Sequence, residues 1–140
     1  MSGSVMEKPV QFKTNDELCS YLQKVDIRTQ EFARYPFLID HTSGGVIYTC
    51  LGLAGEAGEV ADELKKVIRD NLTIELCGNT FLDFSPERKK NLQAELGDVF
   101  WYWCKLIREL ELITDDTMFT IPAILEANIA KLEKRYDKKN

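Results

Sequence analysis

Four segments of the chain carry apolar residues at the spacing of an α-helix, and alternating, strand-like patterns are almost absent. The first segment follows Thr14, which precedes Glu17 by three residues as in a capping box, and it ends before Pro36. The second segment runs from about Val46 to Asp70. Both segments are therefore predicted to be helices.

Two further helices follow a stretch without a clear period. Ser85 and Pro86 open the third helix, because serine is a favoured N-cap and proline suits the first helical position. Its apolar pattern continues to about Glu111, and a fourth helix is predicted from Pro122 to about Tyr136. Four helices without strands predict an all-α, four-helix-bundle-like fold.

The length of 140 residues is typical of one domain, so we predict a single domain over 1–140. Its core is expected over about 14–136, after a loose lead-in over 1–13. A loop is expected over 37–45, where it ends in two glycines. Residues 71–84 show no period and are predicted to form a loop insertion.

Composition narrows the class of protein. Hydrophobic residues make up 44% of the chain and charged residues 29%, as is usual for a soluble globular protein. No apolar run approaches the roughly 20 residues that cross a bilayer, and residues 1–11 lack the apolar core of a signal peptide. We therefore expect a cytoplasmic protein without a membrane partner. The net charge of −5 argues against nucleic acid as a partner, because phosphates attract basic surfaces.

Histidine and cysteine usage excludes several kinds of site. The one histidine, His41, excludes histidine-dependent triads and the Glu-x-x-His di-iron bundle. The four cysteines are far apart and form no C-x-x-C pair, so neither a zinc site nor a disulfide framework is expected. The chain also has no G-x-x-x-x-G-K-[ST] phosphate loop.

Carboxylates border the apolar stripe on two of the predicted helices. At 100° per residue, Glu56 and Glu59 lie on one border of the second helix, and Glu95 and Asp98 occupy the matching border of the third. Packed antiparallel, the two helices would bring all four around one cavity. Like charges at short range raise one another's pKa, and Mg²⁺ or Mn²⁺ would compensate them. The alternative is that each pair is a solvated helix face, which the matching registers disfavour.

Other side chains near these borders are candidates to bind a substrate. Asn128, Lys131 and Arg135 border the apolar stripe of the last helix and suit a polyanion, although cations are also common at a helix C-terminus. Lys66 on the second helix has the same two interpretations. Tyr102 borders the carboxylates on the third helix and either packs against a sugar or base or is a core tyrosine.

Two further features bear on assembly and on close contacts. The third helix is apolar nearly all round, with Phe100, Trp101 and Cys104 outside its main stripe, which predicts an oligomer.

Gly52 and Gly55 project near the carboxylate side of the second helix, where glycine lets a ligand or another helix approach closely. Alternatively, the helix starts later and these glycines belong to a turn.

Together these residues resemble the MazG-like, all-α nucleoside triphosphate pyrophosphohydrolase family, whose pattern is E-x-x-E, a spacer and E-x-x-D. The chain has Glu56-Ala-Gly-Glu59 and Glu95-Leu-Gly-Asp98, and the flanking segments GLAGEAGEVADELKKVIRD, ELGDVFWY and EANIAKLEKRY are also similar. The similarity covers roughly 28–136. The spacer, residues 60–94, is 35 residues long, which is long for the family, and the extra residues fall in 71–84.

The resemblance implies a helical domain of the MazG/dUTPase type and a Mg²⁺-dependent enzyme. Its members cleave a nucleoside triphosphate between the α- and β-phosphates, giving a nucleoside monophosphate and pyrophosphate. The four carboxylates would hold the metal, and a homodimer or homotetramer would be the functional unit. Glu59 is the candidate to orient or deprotonate the attacking water, although sequence does not choose among the glutamates.

Two rival functions remain open at this point. The same scaffold would serve a pyrophosphohydrolase with another substrate, such as phosphoribosyl-ATP or a guanosine tetraphosphate alarmone. A non-enzymatic oligomeric helical adaptor would have acidic helix borders that are merely solvated.

Overall fold

The computed structural model describes residues 11–32, 42–70 and 84–138. The predicted all-α class is confirmed over this part of the chain, which contains helices and no strand. The helices are α1 (Asn15–Phe32), α2 (Ser43–Asp70), α3 (Pro86–Thr114) and α4 (Ile121–Asp137), with a 3₁₀ turn at Thr117–Phe119. Most of the predicted lead-in and nearly all of the predicted 71–84 insertion lie outside the described residues.

Side-chain caps explain where α1 and α2 begin. The Glu17 backbone N–H donates to Thr14 Oγ1 at 3.2 Å, and the Glu17 carboxylate accepts from the Lys13 N–H at 2.7 Å. The α2 helix starts at Ser43, earlier than predicted, because Thr42 Oγ1 accepts a hydrogen bond from the Gly45 N–H at 3.3 Å. The prediction that two glycines end a loop there is wrong, since they form the first turn of α2.

The start of α3 is confirmed, whereas its end lies beyond the predicted residue. Ser85 Oγ accepts from the Arg88 N–H at 3.2 Å, and proline occupies the first turn. The helix continues to Thr114 and ends where Asp115 adopts a left-handed conformation with φ of 50°. Thr120 then caps α4 through the Ala123 N–H at 3.4 Å.

The α2 and α3 helices pack antiparallel along much of their length. Arg88 at the start of α3 binds Asp70 at the end of α2 at 2.9 Å, and it also contacts the Glu63 carboxylate at 3.3 Å. About four turns further along α3, Tyr102 lies against Gly52 of α2. This antiparallel pairing determines which residues of the two helices are neighbours.

The start of the α4 helix packs on the other side of α3. Ile121 at its start forms a buried apolar cluster with Cys104 and Ile107 of α3, and Leu22 of α1 packs against the same cluster. Cys104 and Ile107 lie on one side of α3, and the α3 residues that face α2 lie on another. At 100° per residue, the centres of these two sides are roughly 170° apart around the helix axis. The start of α4 therefore contacts the side of α3 that faces away from α2.

Candidate metal and nucleotide site

Three carboxylates from α2 and α3 converge at the middle of the antiparallel pair. Glu56 of α2 and Glu95 and Asp98 of α3 each offer an oxygen, and these oxygens all lie within 4.8 Å of one another. Glu56 and Glu95 are half-buried, whereas Asp98 is exposed. The spacing of three residues between Glu95 and Asp98 places both on one face of α3, towards Glu56. We call these three residues the carboxylate cluster.

The fourth predicted carboxylate lies beside the cluster and not within it. Glu59 is exposed, one turn after Glu56 on α2, and its oxygens are not among those that gather within 4.8 Å. Its charge nevertheless acts on Glu56, whose pKa it helps to raise. The structure thus brings three of the four predicted carboxylates together.

The electrostatics of the carboxylate cluster favour a bound positive charge. Burial raises the pKa of Glu56 above its ordinary value of 4.5, and the charges of Asp98, Glu95 and Glu59 raise it further. Each cause penalises the ionised form of Glu56. No cationic side chain is among the causes of this pKa shift, so none offsets the penalty. A cation in the cluster would reverse the penalty.

The donor set fits a hard divalent ion. A Mg²⁺ ion binds carboxylate oxygens at about 2.1 Å, so oxygens that share one ion lie about 3–4 Å apart, and small side-chain rotations bring a 4.8 Å group into that range. All donors are oxygens, which suits Mg²⁺ or Mn²⁺ better than a zinc site built from histidine and cysteine. The exposed Asp98 leaves one side of the cluster open to solvent and to a ligand.

An aromatic pair borders the carboxylate cluster. The Tyr102 ring lies against Gly52, and the ring centroids of Tyr102 and Tyr48 are 6.4 Å apart. Burial raises the pKa of Tyr102 above its ordinary value, as do the hydrogen bond to Tyr48 and the negative charges of Glu56 and Asp98. Tyr102 is therefore close to the carboxylates, as the sequence pattern placed it.

Tyr48 is a site residue that the sequence analysis missed. Its side chain is 42% exposed, so part of the ring is open to a ligand. The signal was present in the sequence, because at 100° per residue Tyr48 falls on the same border of α2 as Glu59, about 20° away.

Lys66 lies away from the carboxylate cluster and is already paired. Its ammonium group contacts Asp62 at 2.9 Å and Glu63 at 2.6 Å. Hydrogen bonds to Asp62 and then Glu63 raise the pKa of Lys66 above its ordinary value. Ten residues separate Lys66 from Glu56, which is about 15 Å along the helix axis. The structure therefore does not bring Lys66 to the cluster.

The predicted ligands on α4 are exposed. Asn128, Lys131 and Arg135 lie on the surface of the last helix, and neither cation forms an ion pair with any residue that the structure describes. Neither Lys131 nor Arg135 is among the charges that shift the pKa of Glu56, so the structure does not bring these cations to the carboxylate cluster of the same chain.

Comparison with known proteins identifies the family. The family described as "MazG nucleotide pyrophosphohydrolase domain" matches residues 47–139. The chain belongs to the MazG family. It is also 34% identical over 113 residues to the gene 37 protein of Mycobacterium phage L5, covering 80% of this chain and 85% of the phage protein. No solved structure matches the chain.

The MazG match contains every predicted site residue. It begins within α2, before Glu56, and spans α3 and α4, so the carboxylate cluster and the α4 cations fall inside it. The α1 helix lies outside the match and supplies Leu22 to the buried cluster. No helix that the structure describes is both long and apolar enough to span a membrane.

Proposed function

We propose that this MazG protein is a cytoplasmic, metal-dependent pyrophosphohydrolase of nucleoside or deoxynucleoside triphosphates. It would add one water across the α–β anhydride bond and release a nucleoside monophosphate and pyrophosphate. The observation that carries this proposal is the convergence of Glu56, Glu95 and Asp98 within a chain of the MazG family.

We assign the metal as Mg²⁺, with Mn²⁺ as a substitute, held by Glu56, Glu95 and Asp98 with Glu59 as a fourth ligand. When bound, Mg²⁺ supplies positive charge beside the phosphates and lowers the pKa of an attacking water. The raised pKa of Glu56 and the all-oxygen donor set support this assignment.

Glu59 is the candidate general base in this proposal. It is exposed beside the carboxylate cluster and forms no ion pair with a residue that the structure describes, so its carboxylate is accessible to a water at the site. The water oxygen would bond to the attacked phosphorus while its proton passes to Glu59, and the bridging oxygen would leave with the other product.

The remaining ligands are assigned by their chemistry. Tyr102 borders the cluster and would contact the sugar or base. Lys131 and Arg135 would bind the phosphates through their positive charges, and Asn128 would donate a hydrogen bond from its amide. Lys66 would join them only by leaving Asp62 and Glu63, so the proposal depends on the α4 residues instead. A homodimer or homotetramer is proposed as the working unit.

Product analysis tests the proposed function. The purified protein is incubated with a panel of ribo- and deoxyribonucleoside triphosphates, with Mg²⁺ or EDTA, and the products are separated by chromatography. We expect monophosphate and pyrophosphate with Mg²⁺ only. Release of orthophosphate, or equal turnover in EDTA, would overturn the proposal.

Two further arms address the rival functions. Phosphoribosyl-ATP and guanosine tetraphosphate are added to the panel. Turnover of one of these compounds alone would identify it as the substrate. Glu95→Gln is compared with Glu87→Gln, which removes an exposed carboxylate from the first turn of the same helix. Only Glu95→Gln should abolish turnover, whereas an adaptor would show no turnover in any arm.

A further inference from the structure

A cavity of about 710 Å³ lies on the side of α3 that faces away from α2. Cavities that bind small organic molecules usually measure about 300–1,000 Å³, so this one has room for such a ligand. Its walls come from α1, from the last three turns of α3 and from the start of α4. We call this space, bounded by Asp26, Cys104, Glu111 and Ile121, the α1–α3 cavity.

The floor of the α1–α3 cavity is apolar. Cys104, Ile107 and Ile121 are 1%, 6% and 5% exposed, and they form the buried cluster at the start of α4. Ile27 of α1 borders the same space and is 61% exposed, so the cavity is open to solvent beside it. A ligand with an apolar body would remove this surface from water, which favours binding.

Asp26 places a negative charge against the apolar floor. Burial raises the pKa of the Cys104 thiol to about 12, and the charge of Asp26 and a hydrogen bond to its carboxylate contribute to this rise. The thiol is therefore protonated at neutral pH and donates to Asp26. A carboxylate accepts up to about four hydrogen bonds, so Asp26 can accept one from a ligand and keep the one from Cys104.

The charges around the α1–α3 cavity sum to a negative value. Among its lining residues, Asp26 and Glu111 are acidic and Arg108 is basic. Arg108 already pairs with Glu111 at 3.0 Å. Glu111 lies in the last turn of α3, which contains no basic residue to offset the negative end of the helix dipole. The cavity therefore favours a positively charged ligand.

The α1–α3 cavity is separate from the carboxylate cluster. Glu95 and Asp98 lie on the side of α3 that faces α2, and the centre of that side is roughly 170° from Cys104 and Ile107 around the helix axis. The α1 wall also lies outside the MazG match, which begins at residue 47. A ligand in this cavity therefore does not occupy the candidate nucleotide site.

We propose that the α1–α3 cavity binds a small organic cation, with one ammonium group on an alkyl or aromatic body. The ammonium group would bind the Asp26 carboxylate, and the body would pack on Ile107 and Ile121. A neutral apolar molecule would remove water from Asp26 without replacing its hydrogen bonds, and an anion would be repelled. This site does not depend on the proposed pyrophosphohydrolase function, since it uses none of the cluster residues.

A titration of the full chain with three matched probes tests the proposal. Phenethylammonium, phenethyl alcohol and phenylpropionate share a benzene ring on a short chain and differ in the charge of the terminal group. Binding is followed by NMR of protein labelled with ¹³C in the isoleucine δ1 methyl groups. Ile27, Ile107 and Ile121 report on the cavity, whereas the exposed Ile47 and Ile68 of α2 report on non-specific contacts.

The proposal predicts a preference for positive charge that depends on one residue. Phenethylammonium should give saturable shifts at the three cavity methyl groups, and phenethyl alcohol should bind about 10-fold more weakly, because hydrogen bonds between charged groups are stronger. Phenylpropionate should not bind. Asp26→Asn keeps an oxygen that accepts from Cys104 but removes the charge, so it should lower the affinity for phenethylammonium about 10-fold. Asp16→Asn, at an exposed position in the first turn of α1, is the matched control and should leave this affinity unchanged.

Several outcomes would overturn the proposal. Phenethylammonium that gives no saturable shift at Ile107 and Ile121, or equal shifts at Ile47 and Ile68, would mean that the cavity is not a binding site. Equal affinities for the ammonium and the alcohol, or an unchanged affinity in Asp26→Asn, would mean that it does not select a cation. The three-probe comparison uses only the wild type, so it decides the matter even if Asp26→Asn does not fold. No arm measures turnover, so this inference and the proposed function fail separately.

Discussion

The Tyr102 ring of α3 occupies the space where Gly52 of α2 would carry a side chain. A Cβ atom at Gly52 would come within 2.6 Å of Tyr102 Cζ and closer still to Cε1 and Cδ1. Trp101 packs edge-on against the same ring at a centroid distance of 4.6 Å. The glycine thus leaves room for the Tyr102 ring against α2, one turn from Glu56 and beside the carboxylate cluster.

The first prediction concerns this contact. Gly52→Ala should displace Tyr102 and destabilise the protein by about 1–3 kcal/mol, because the extra methyl group overpacks a helix interface. Gly58→Ala is the matched control: it lies on the same helix with nothing near its Cβ position, and it should stabilise the protein by about 0.5–1 kcal/mol through helix propensity. Urea unfolding measures both, and equal effects of the two substitutions would contradict the account.

The second prediction separates metal binding from folding. Asp98→Asn should leave the melting temperature in EDTA unchanged or raised, because Asp98 is the charge that contributes most to the raised pKa of Glu56. The variant should lose both turnover and the rise in melting temperature that Mg²⁺ gives the wild type. Thermal unfolding with and without Mg²⁺ is the measurement. An unchanged Mg²⁺ response would show that Asp98 does not hold the metal.

The third prediction follows from the direction of the Glu56 pKa. The pKa of Glu56 in the folded protein is raised above 4.5, its ordinary value. At pH values between these two pKa values, the folded protein therefore binds more protons at Glu56 than the unfolded chain does. The contribution of Glu56 to stability is therefore present at low pH and is lost as pH rises through the folded pKa. In EDTA, Glu56→Gln should gain stability relative to the wild type between pH 4 and pH 7.

Urea unfolding at several pH values checks this direction. The comparison with the wild type is needed because Asp62 and Glu63 have lowered pKa values and change the stability of both proteins in the opposite sense. A difference between Glu56→Gln and the wild type that does not depend on pH would contradict the electrostatics of the cluster.

The fourth prediction concerns the ion pairs that join α2 to α3. Glu63 accepts hydrogen bonds from Lys66 at 2.6 Å, Arg88 at 3.3 Å and Asn91 at 3.5 Å. Glu63→Ala should lower the melting temperature, because it leaves these donors without their shared acceptor. Lys65→Ala, at an exposed position of the same helix that pairs with Asp62, should have little effect. Equal melting temperatures for the two variants would contradict the role of Glu63.

Much of this site could be predicted from the sequence because its residues lie on long helices. The period of 3.6 residues per turn fixes the relative directions of Glu56, Glu95 and Asp98, and antiparallel packing is enough to bring them together. Tyr102 follows from the same arithmetic. The N-cap at Ser85 was also predictable, because its hydroxyl acts on a backbone N–H only three residues away.

Other features depend on tertiary packing and were not predictable in this way. Helical spacing shows which side chains share a face, but not which neighbour that face meets, so the packing of the start of α4 on the far side of α3 could not be deduced. Lys66 shares a border with Glu59, yet its distance along the axis and its pairing with Asp62 remove it from the cluster. The early start of α2 depends on the Thr42 cap, since glycine normally disfavours a helix.

Calorimetric titration of a non-hydrolysable triphosphate analogue tests the central claim most directly. We expect Mg²⁺ to tighten analogue binding and the analogue to tighten Mg²⁺ binding by the same factor, because linkage between two ligands is reciprocal. Mg²⁺ alone should bind weakly, since it usually completes its coordination with substrate phosphates. Glu95→Gln should remove the coupling, and Glu87→Gln should preserve it. Analogue binding that is equally strong in EDTA would contradict the claim that the carboxylate cluster holds a catalytic metal.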